Sequence, residues 1–233
     1  MPFWSQLGFS DPITPQQAGI IIFYDHCIFI LSFVLIGLLQ YIGYLVFNQY
    51  KMRYIYENSF LEFCWTLAPI LVLTYLVFPS LILLYRLDEG VILPHVTIKV
   101  IGSQWHWNYE FRNLKGDVLN YGSYAKPEWA LQNGEPRNLT ADESLVVPHG
   151  VAVRFLISRR DVIHSFSLIN GGVKVDCIPG RINIAHVRFD VVGRRIGLCS
   201  EFCGTGHYNM PINVEVVPYE ENFRWSSVSS TRK

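Results

Sequence analysis

Charge is what this sequence has least of. Only 16% of its 233 residues are Asp, Glu, Lys or Arg, where a soluble domain carries about a quarter. The 19 basic residues are matched by 19 acidic ones, so no excess of one sign points to nucleic acid, and none is expected as a partner. No basic stripe, nucleotide-binding glycine loop or internal repeat is visible, which removes the common phosphate-binding and repeat architectures. Residues 1–19 hold neither Lys nor Arg, and no small-residue cleavage pattern follows the first apolar run. Both are expected of a cleavable secretory leader, so none is expected here.

Apolar residues fill the space that charge leaves, and half of the chain is hydrophobic. Cys27–Phe47 is an uncharged run of 21 residues and Phe63–Tyr85 one of 23. Each reaches the roughly 20 residues that carry a helix across a hydrocarbon core. A pair of buried core helices is the ordinary alternative, but two such runs in so small a chain favour a lipid bilayer. The predicted helices span about 19–47 and 62–87, the first beginning before Asp25 and His26. Pro69 and Pro79 interrupt the second run and are expected to kink it, as membrane helices tolerate. The link between the runs is too short for a domain, so the helices form an antiparallel hairpin within residues 1–90, and both chain ends lie on one side. Lys51 and Arg53 in the link favour the side of synthesis, which puts residues 91–233 outside. Arg86 opposes that rule, with Asp88 and Glu89 following it. Glu62 opens the second run, either as an acid favoured at a helix N-terminus or as a group on a proton path.

From about Val91 the apolar period falls to two, the mark of strands. Val96, Ile98 and Val100 alternate with Thr97 and Lys99. Similar alternation runs through Val151–Ile157, Val173–Cys177 and Ile212–Val216, with Gly and Pro turns between. Many short strands without an amphipathic helix imply an all-β sandwich or barrel. Gln104–Phe111 reads as one strand with Trp105, Trp107, Tyr109 and Phe111 on a single face, packed on the core, set at the membrane interface or serving an electron port. Leu114–Asp142 is polar and turn-rich and is expected to be an extended surface loop.

The residues 199–210, Cys-Ser-Glu-Phe-Cys-Gly-Thr-Gly-His-Tyr-Asn-Met, gather two thiols, an imidazole and a thioether. That donor set suits copper, since soft sulfur favours Cu(I) and imidazole accepts both oxidation states. Four donors on one short loop cannot surround two metals, so another is expected from His164. A Cys199–Cys203 disulfide and a zinc site on Cys, Cys and His are the other readings, though neither uses Met210. Cys27, Cys64 and Cys177 read as buried apolar residues.

Nearly end to end, the chain resembles cytochrome c oxidase subunit II. The resemblance is carried by Gln6–Phe9, Asp25-His26, Glu62–Thr66 with Pro69, Pro79-Ser80, Gln104-Trp105 with Trp107, Asp161–Ser165, Ile178–Arg181 and the 199–211 loop. It implies a two-helix transmembrane hairpin joined to a cupredoxin-like Greek-key β-barrel that holds a dinuclear copper centre. In that family the thiolates at Cys199 and Cys203 bridge two coppers. His164 and Met210 complete one copper, and His207 with the Glu201 backbone carbonyl complete the other. The resemblance further implies a Mg²⁺ held by the Glu201 side chain at the boundary with subunit I, near Asp176 and Arg181. It makes Trp105 the point where the electron arrives and Glu62 the mouth of a proton path. The implied activity takes single electrons from cytochrome c and passes them to the haem-bearing subunit I, where O2 is reduced. The implied place is the mitochondrial inner membrane, with both termini and the copper domain facing the intermembrane space and other oxidase subunits alongside.

The sequence departs from the family at Ser103 and His106, where His and Tyr are usual, and at Phe166, where Trp is usual. Arg159 and Arg160 stand where the family tends to be acidic, leaving Glu110, Asp117, Glu135, Asp142 and Glu143 as candidates for a donor-docking patch. A membrane-anchored copper chaperone of the Sco type is the alternative function. It shares Cys-x-x-x-Cys and a distant His but has a thioredoxin-like α/β domain. A copper-free quinol oxidase subunit II is a further alternative, opposed by the intact donor set.

Overall fold

The computed structural model describes residues 5–50, 54, 56–88, 94–112 and 116–219. Lys51, Arg53, Glu89, the expected boundary at 90/91 and the tail beyond 219 lie outside the described residues. The chain divides into two units, one of residues 19–87 and one combining residues 1–18 with 88–233.

The helical unit contains most of α1 (Pro15–Phe47) and α2 (Ser59–Asp88). Both are apolar on every side, which suits a lipid surround. At 1.5 Å per residue they are about 50 and 45 Å long, more than the roughly 30 Å of a hydrocarbon core. Each begins before its hydropathy rises, because a polar cap sets the start. Thr14 Oγ1 accepts the Gln17 N–H at 3.1 Å, with Pro15 at the first helical position, where its missing N–H costs nothing. Asn58 Oδ1 accepts the Leu61 N–H at 3.0 Å and starts α2 in the same way. The helix continues unbroken through Pro69 and Pro79. Cys64 is exposed on α2 rather than buried, as an apolar thiol facing lipid can be.

The β-domain packs two five-stranded sheets face to face. The first has the order β3-β2-β1-β5-β8, from β1 (Val96–Ser103), β2 (His106–Arg112), β3 (Val118–Tyr124), β5 (Ala152–Arg159) and β8 (Asn183–Arg188). The second has the order β4-β10-β9-β6-β7, from β4 (Leu145–Pro148), β6 (His164–Leu168), β7 (Val173–Cys177), β9 (Gly193–Cys199) and β10 (Pro211–Val217). The β1–β5 and β4–β10 pairs are parallel, so the chain crosses between sheets instead of meandering. Alternate residues point inward as strand periodicity requires. Trp107, Tyr109, Phe155, Phe166 and Ile212 are fully buried between the sheets, and the wholly apolar Phe155, Phe166 and Ile212 each contribute about 1.5–3 kcal/mol by burial.

Two sequence expectations change. Gln104–Phe111 is not one strand: Gln104 and Trp105 form the two-residue turn between β1 and β2, where Ser103 pairs with His106. Trp105 therefore leaves the buried aromatic row and is 39% exposed. Leu114–Asp142 contains β3, which pairs with β2 along its length. Its polar residues mask a sheet-edge strand with one solvated face.

The N-terminal segment belongs physically to this domain. Ile13 N–H donates to Asn170 O at 3.1 Å, and Ile13 O accepts the Asp190 N–H at 3.0 Å. Thr14 Oγ1 donates to Gly171 O at 2.7 Å, and Gln16 Nε2 donates to His186 O at 3.1 Å. Ile13 and Thr14 are both buried. Gly172, at φ +62°, lets the backbone of Gln17 come so close that a Cβ would sit 2.8 Å from its nitrogen.

Candidate metal centre

The centre grows out of the core pattern. Along β6, His164, Phe166 and Leu168 face inward, so the imidazole continues an apolar row. Register sets Phe166 opposite Cys199 and His164 opposite Cys177. β9 ends at Cys199, and the chain then loops through Cys203 and His207 before β10 starts at Pro211. The loop is closed at its base by the Cys199 N–H donating to Met210 O at 3.2 Å. Ser200 N–H donates to Ser165 O at 3.0 Å and ties the loop to β6.

Within that frame the ligand atoms of His164, Cys199 and Cys203 all lie within 4.8 Å of one another. Cys199 Sγ is 3.8 Å from His164 Nδ1 and 4.0 Å from Cys203 Sγ. Cys203 Sγ is 3.7 Å from His207 Nδ1, and the Glu201 carbonyl oxygen is 3.3 Å from Cys199 Sγ. Both cysteines are free and buried, so the disulfide reading does not hold. Met210 is fully buried at the base of the loop, whereas the Glu201 side chain is exposed. Glu62 lies in the first turn of α2, in the helical unit and outside this cluster.

Electrostatics favour one anion over two in the metal-free pair. Burial opposes the Cys199 thiolate, but His164, the Ser165 and Glu201 backbones and His207 together bring its pKa down to about 6. Burial and the neighbouring Cys199 anion push Cys203 up to about 12. The first proton leaves the pair easily and the second is held, as expected for coupled sites. A cation between the sulfurs reverses that, because metal coordination requires and stabilises thiolates. Burial works against a charged His164, yet Cys199 and Asp161 outweigh it and raise its pKa. Two thiols, two imidazoles and a carbonyl oxygen lie close together, a sulfur- and nitrogen-rich set of the kind that suits copper.

The surroundings include residues to which the sequence alone assigns no role. Asp161 Oδ1 is 2.8 Å from His164 Nε2, the arrangement that orients a metal-binding imidazole. Its other oxygen accepts the Gln104 N–H at 2.6 Å. Gln104 Nε2 in turn donates to Cys203 O at 2.9 Å. Trp105 lies over the loop: a Cβ at Gly204 would stand 3.4 Å from its indole, and one at Gly206 would collide with it. Gln104 and Asp161 fall within the motifs of the resemblance, but only the fold shows what they touch. At the departures, His106 stacks on Tyr124 at 4.4 Å and accepts from Asn108 Nδ2 at 3.0 Å. Phe166 meets Trp107 edge-on at 5.4 Å, so it keeps an aromatic core contact.

Known proteins resemble this chain. A family model described as the periplasmic domain of cytochrome c oxidase subunit II matches residues 96–217, and one for the transmembrane domain of the same subunit matches residues 2–83. The chain belongs to the cytochrome c oxidase subunit II family. This subunit II chain is 41% identical over 227 residues to cytochrome c oxidase subunit 2 of Vanderwaltozyma polyspora, covering 94% of this chain and 90% of the relative. It is 40% identical over 225 residues to the Saccharomyces cerevisiae subunit, covering 93% and 89%. The solved periplasmic domain of subunit II from Bradyrhizobium japonicum is 34% identical, with a TM-score of 0.55 over 61% of this chain and 99% of that one. The subunit II chain thus carries two membrane-spanning helices and a cupredoxin-like domain, as a component of cytochrome c oxidase. The Sco-type alternative fails on the fold: among the described residues the domain has ten strands and two short 3-10 turns, with no helix layer of the thioredoxin kind.

Proposed function

We propose that this chain is the electron-accepting subunit of a mitochondrial cytochrome c oxidase, with cytochrome c as donor. The observation that carries the reading is the convergence of His164, Cys199 and Cys203, with ligand atoms within 4.8 Å, inside a subunit II fold. His164, Cys199, Cys203, His207, Met210 and the Glu201 carbonyl would hold a dinuclear copper centre. Bound there, the copper pair supplies a one-electron couple between cytochrome c and the haem-bearing subunit I. The chain's own part is to keep the donors still. Asp161 fixes the His164 ring, the two short ties from Cys199 and Ser200 fix the loop, and the buried aromatic core around Trp107 keeps water away. A site already in place when the charge changes demands little reorganisation.

Several finer assignments belong to the same reading. Trp105, half exposed and lying on the loop glycines, is where the electron arrives. The exposed Glu201 carboxylate, a hard oxygen donor, takes a Mg²⁺ at the boundary with subunit I, near Asp176 and Arg181. Glu62 marks the mouth of a proton path, and the copper domain and both termini face the intermembrane space. Electron paramagnetic resonance of the copper-loaded chain tests the reading, because one electron shared by two coppers gives seven hyperfine lines. A four-line or silent spectrum from the oxidised chain with full copper content would overturn it.

A further inference from the structure

The two membrane helices meet in a register that their charges do not share. Gly19 packs on Leu83, since a Cβ there would stand 3.0 Å from Leu83 Cδ1, and the rings of His26 and Tyr75 are 5.4 Å apart. Between these contacts α1 advances from 19 to 26 while α2 runs back from 83 to 75, nearly equal lengths of antiparallel helix. Leu76 of α2 is therefore level with Asp25, and the stretch of α2 from there to Arg86 spans about 15 Å.

That offset forces one acid into the hydrocarbon. A bilayer set on Cys27–Phe47 keeps Asp25 in water but draws in Glu62, which the same register puts level with Gln40. A bilayer set on Phe63–Tyr85 keeps Glu62 at its edge and takes in Asp25. Either placement leaves an apolar end of one helix beyond the core, so apolar area does not choose between them. Glu62 does. As the mouth of a proton path it must reach water at the membrane edge, and that edge puts Asp25 inside.

No group of its own chain pairs Asp25 there. Its side chain is exposed on the hairpin surface, and among the described residues no hydrogen bond or ion pair engages it. Neither helix holds Lys or Arg before Arg86. His26 is the next residue, so on a helix it faces another way, and its ring is turned to Tyr75. Ionisable groups within membrane helices pair with one another or face a polar interior. For Asp25 the pairing group has to come from outside the chain.

We propose that Asp25 is an intramembrane docking point, taken by a basic side chain on a helix of a partner subunit of the oxidase. This rests on the reading of Glu62 as a water-facing group at the membrane edge. The His26–Tyr75 contact fixes the rotation of α1, which turns Asp25 off the α2 side and toward that partner. Such an acid sets which helix sits against α1 and at what height, because a wrong neighbour leaves the charge unpaired in lipid.

Maleimide labelling of the assembled oxidase in its membrane tests the depth. With a membrane-impermeant maleimide and mass analysis of the labelled peptides, the thiol of Glu62→Cys should label, whereas that of Asp25→Cys should label only after the subunits are separated in denaturing detergent. Labelling of both in the intact oxidase overturns the docking point alone; a Glu62→Cys thiol that stays unlabelled overturns the reading of Glu62 beneath it. Retention of the chain by the purified oxidase in rising detergent tests the pairing. Asp25→Asn and Asp25→Leu should each shorten the half-time of dissociation by about tenfold, because the partner's charge is left unpaired. Ile28→Leu, at an exposed apolar position on the same helix, should leave it unchanged. An unchanged copper spectrum shows that the β-domain of each variant is folded, and a variant that holds copper but does not assemble counts as the same loss. If Asp25→Leu or Asp25→Asn stays bound as long as the parent, no basic group sits opposite Asp25 and the proposal fails.

Discussion

Gln104 and Cys203 are joined by a single hydrogen bond, from the Gln104 side-chain amide to the Cys203 carbonyl oxygen at 2.9 Å. It links the turn that carries Trp105 to the loop that carries both thiols. Gln104→Ala removes a bond worth about 1 kcal/mol and frees the indole to move from the loop. Copper content should stay whole while the first electron arrives more slowly. Rapid-mixing reduction of the assembled oxidase by cytochrome c checks this; an unchanged rate means that the tie does not serve transfer.

Asp161 meets the His164 ring from the side away from the sulfurs, at 2.8 Å. Cutting such an outer contact costs about 10- to 100-fold in metal affinity or activity. Asp161→Ala should therefore lose copper to a chelator faster and broaden the copper resonance. Asp161→Asn, which can still bond the ring, should fall between the variant and the parent. Equal chelation rates in all three would show that the backbone alone orients His164.

Much of this architecture is legible in the order of residues. Two uncharged runs announce the hairpin, and period-two alternation announces β1, β5, β7 and β10, because a strand buried on one face must alternate. The donors at 199–210 announce the cluster of thiols and imidazole that the fold draws together with His164. Other parts are not legible, for physical reasons. β3 has exposed Val118 and Asn120 and only partly buried neighbours, so an edge strand leaves little apolar signal. The Gln104–Trp105 turn has no Gly or Asn to mark it, and the unbroken aromatic alternation hides it. Tertiary reach hides the rest: Gln104 to Cys203 and Asp161 to Gln104 are long jumps in sequence, and no local pattern encodes them.

The Thr14 hydroxyl serves two elements at once. It accepts from Gln17 at the start of α1 and donates to Gly171 in the β6–β7 turn. A lost cap of this type costs about 1–2 kcal/mol. Thr14→Ala should therefore speed amide exchange at both Gln17 and the 170–172 turn while leaving β3 unaffected. Thr14→Ser, which keeps the oxygen, should restore both. Exchange that rises throughout the domain, or nowhere, would show that the hydroxyl is not a joint.

Gly206 has a tight steric demand beside the centre, since a Cβ there would collide with the Trp105 indole. The indole is 39% exposed, so it has room to swing outward and the loop need not unfold. Gly206→Ala should therefore keep the copper spectrum, because 206 supplies no ligand, yet shift Trp105 fluorescence toward that of a solvated indole. The buried or turn-bound donors around it would be untouched, so any fall in the cytochrome c reduction rate follows from the displaced ring. Restoring contact by a second change, Trp105→Phe, trims the ring that the new methyl strikes and should relieve the strain on the loop without recovering the rate. Recovery of the full rate in that double variant would mean that an indole at 105 is dispensable. A lost copper spectrum in Gly206→Ala would mean that the loop, and not the ring, gives way.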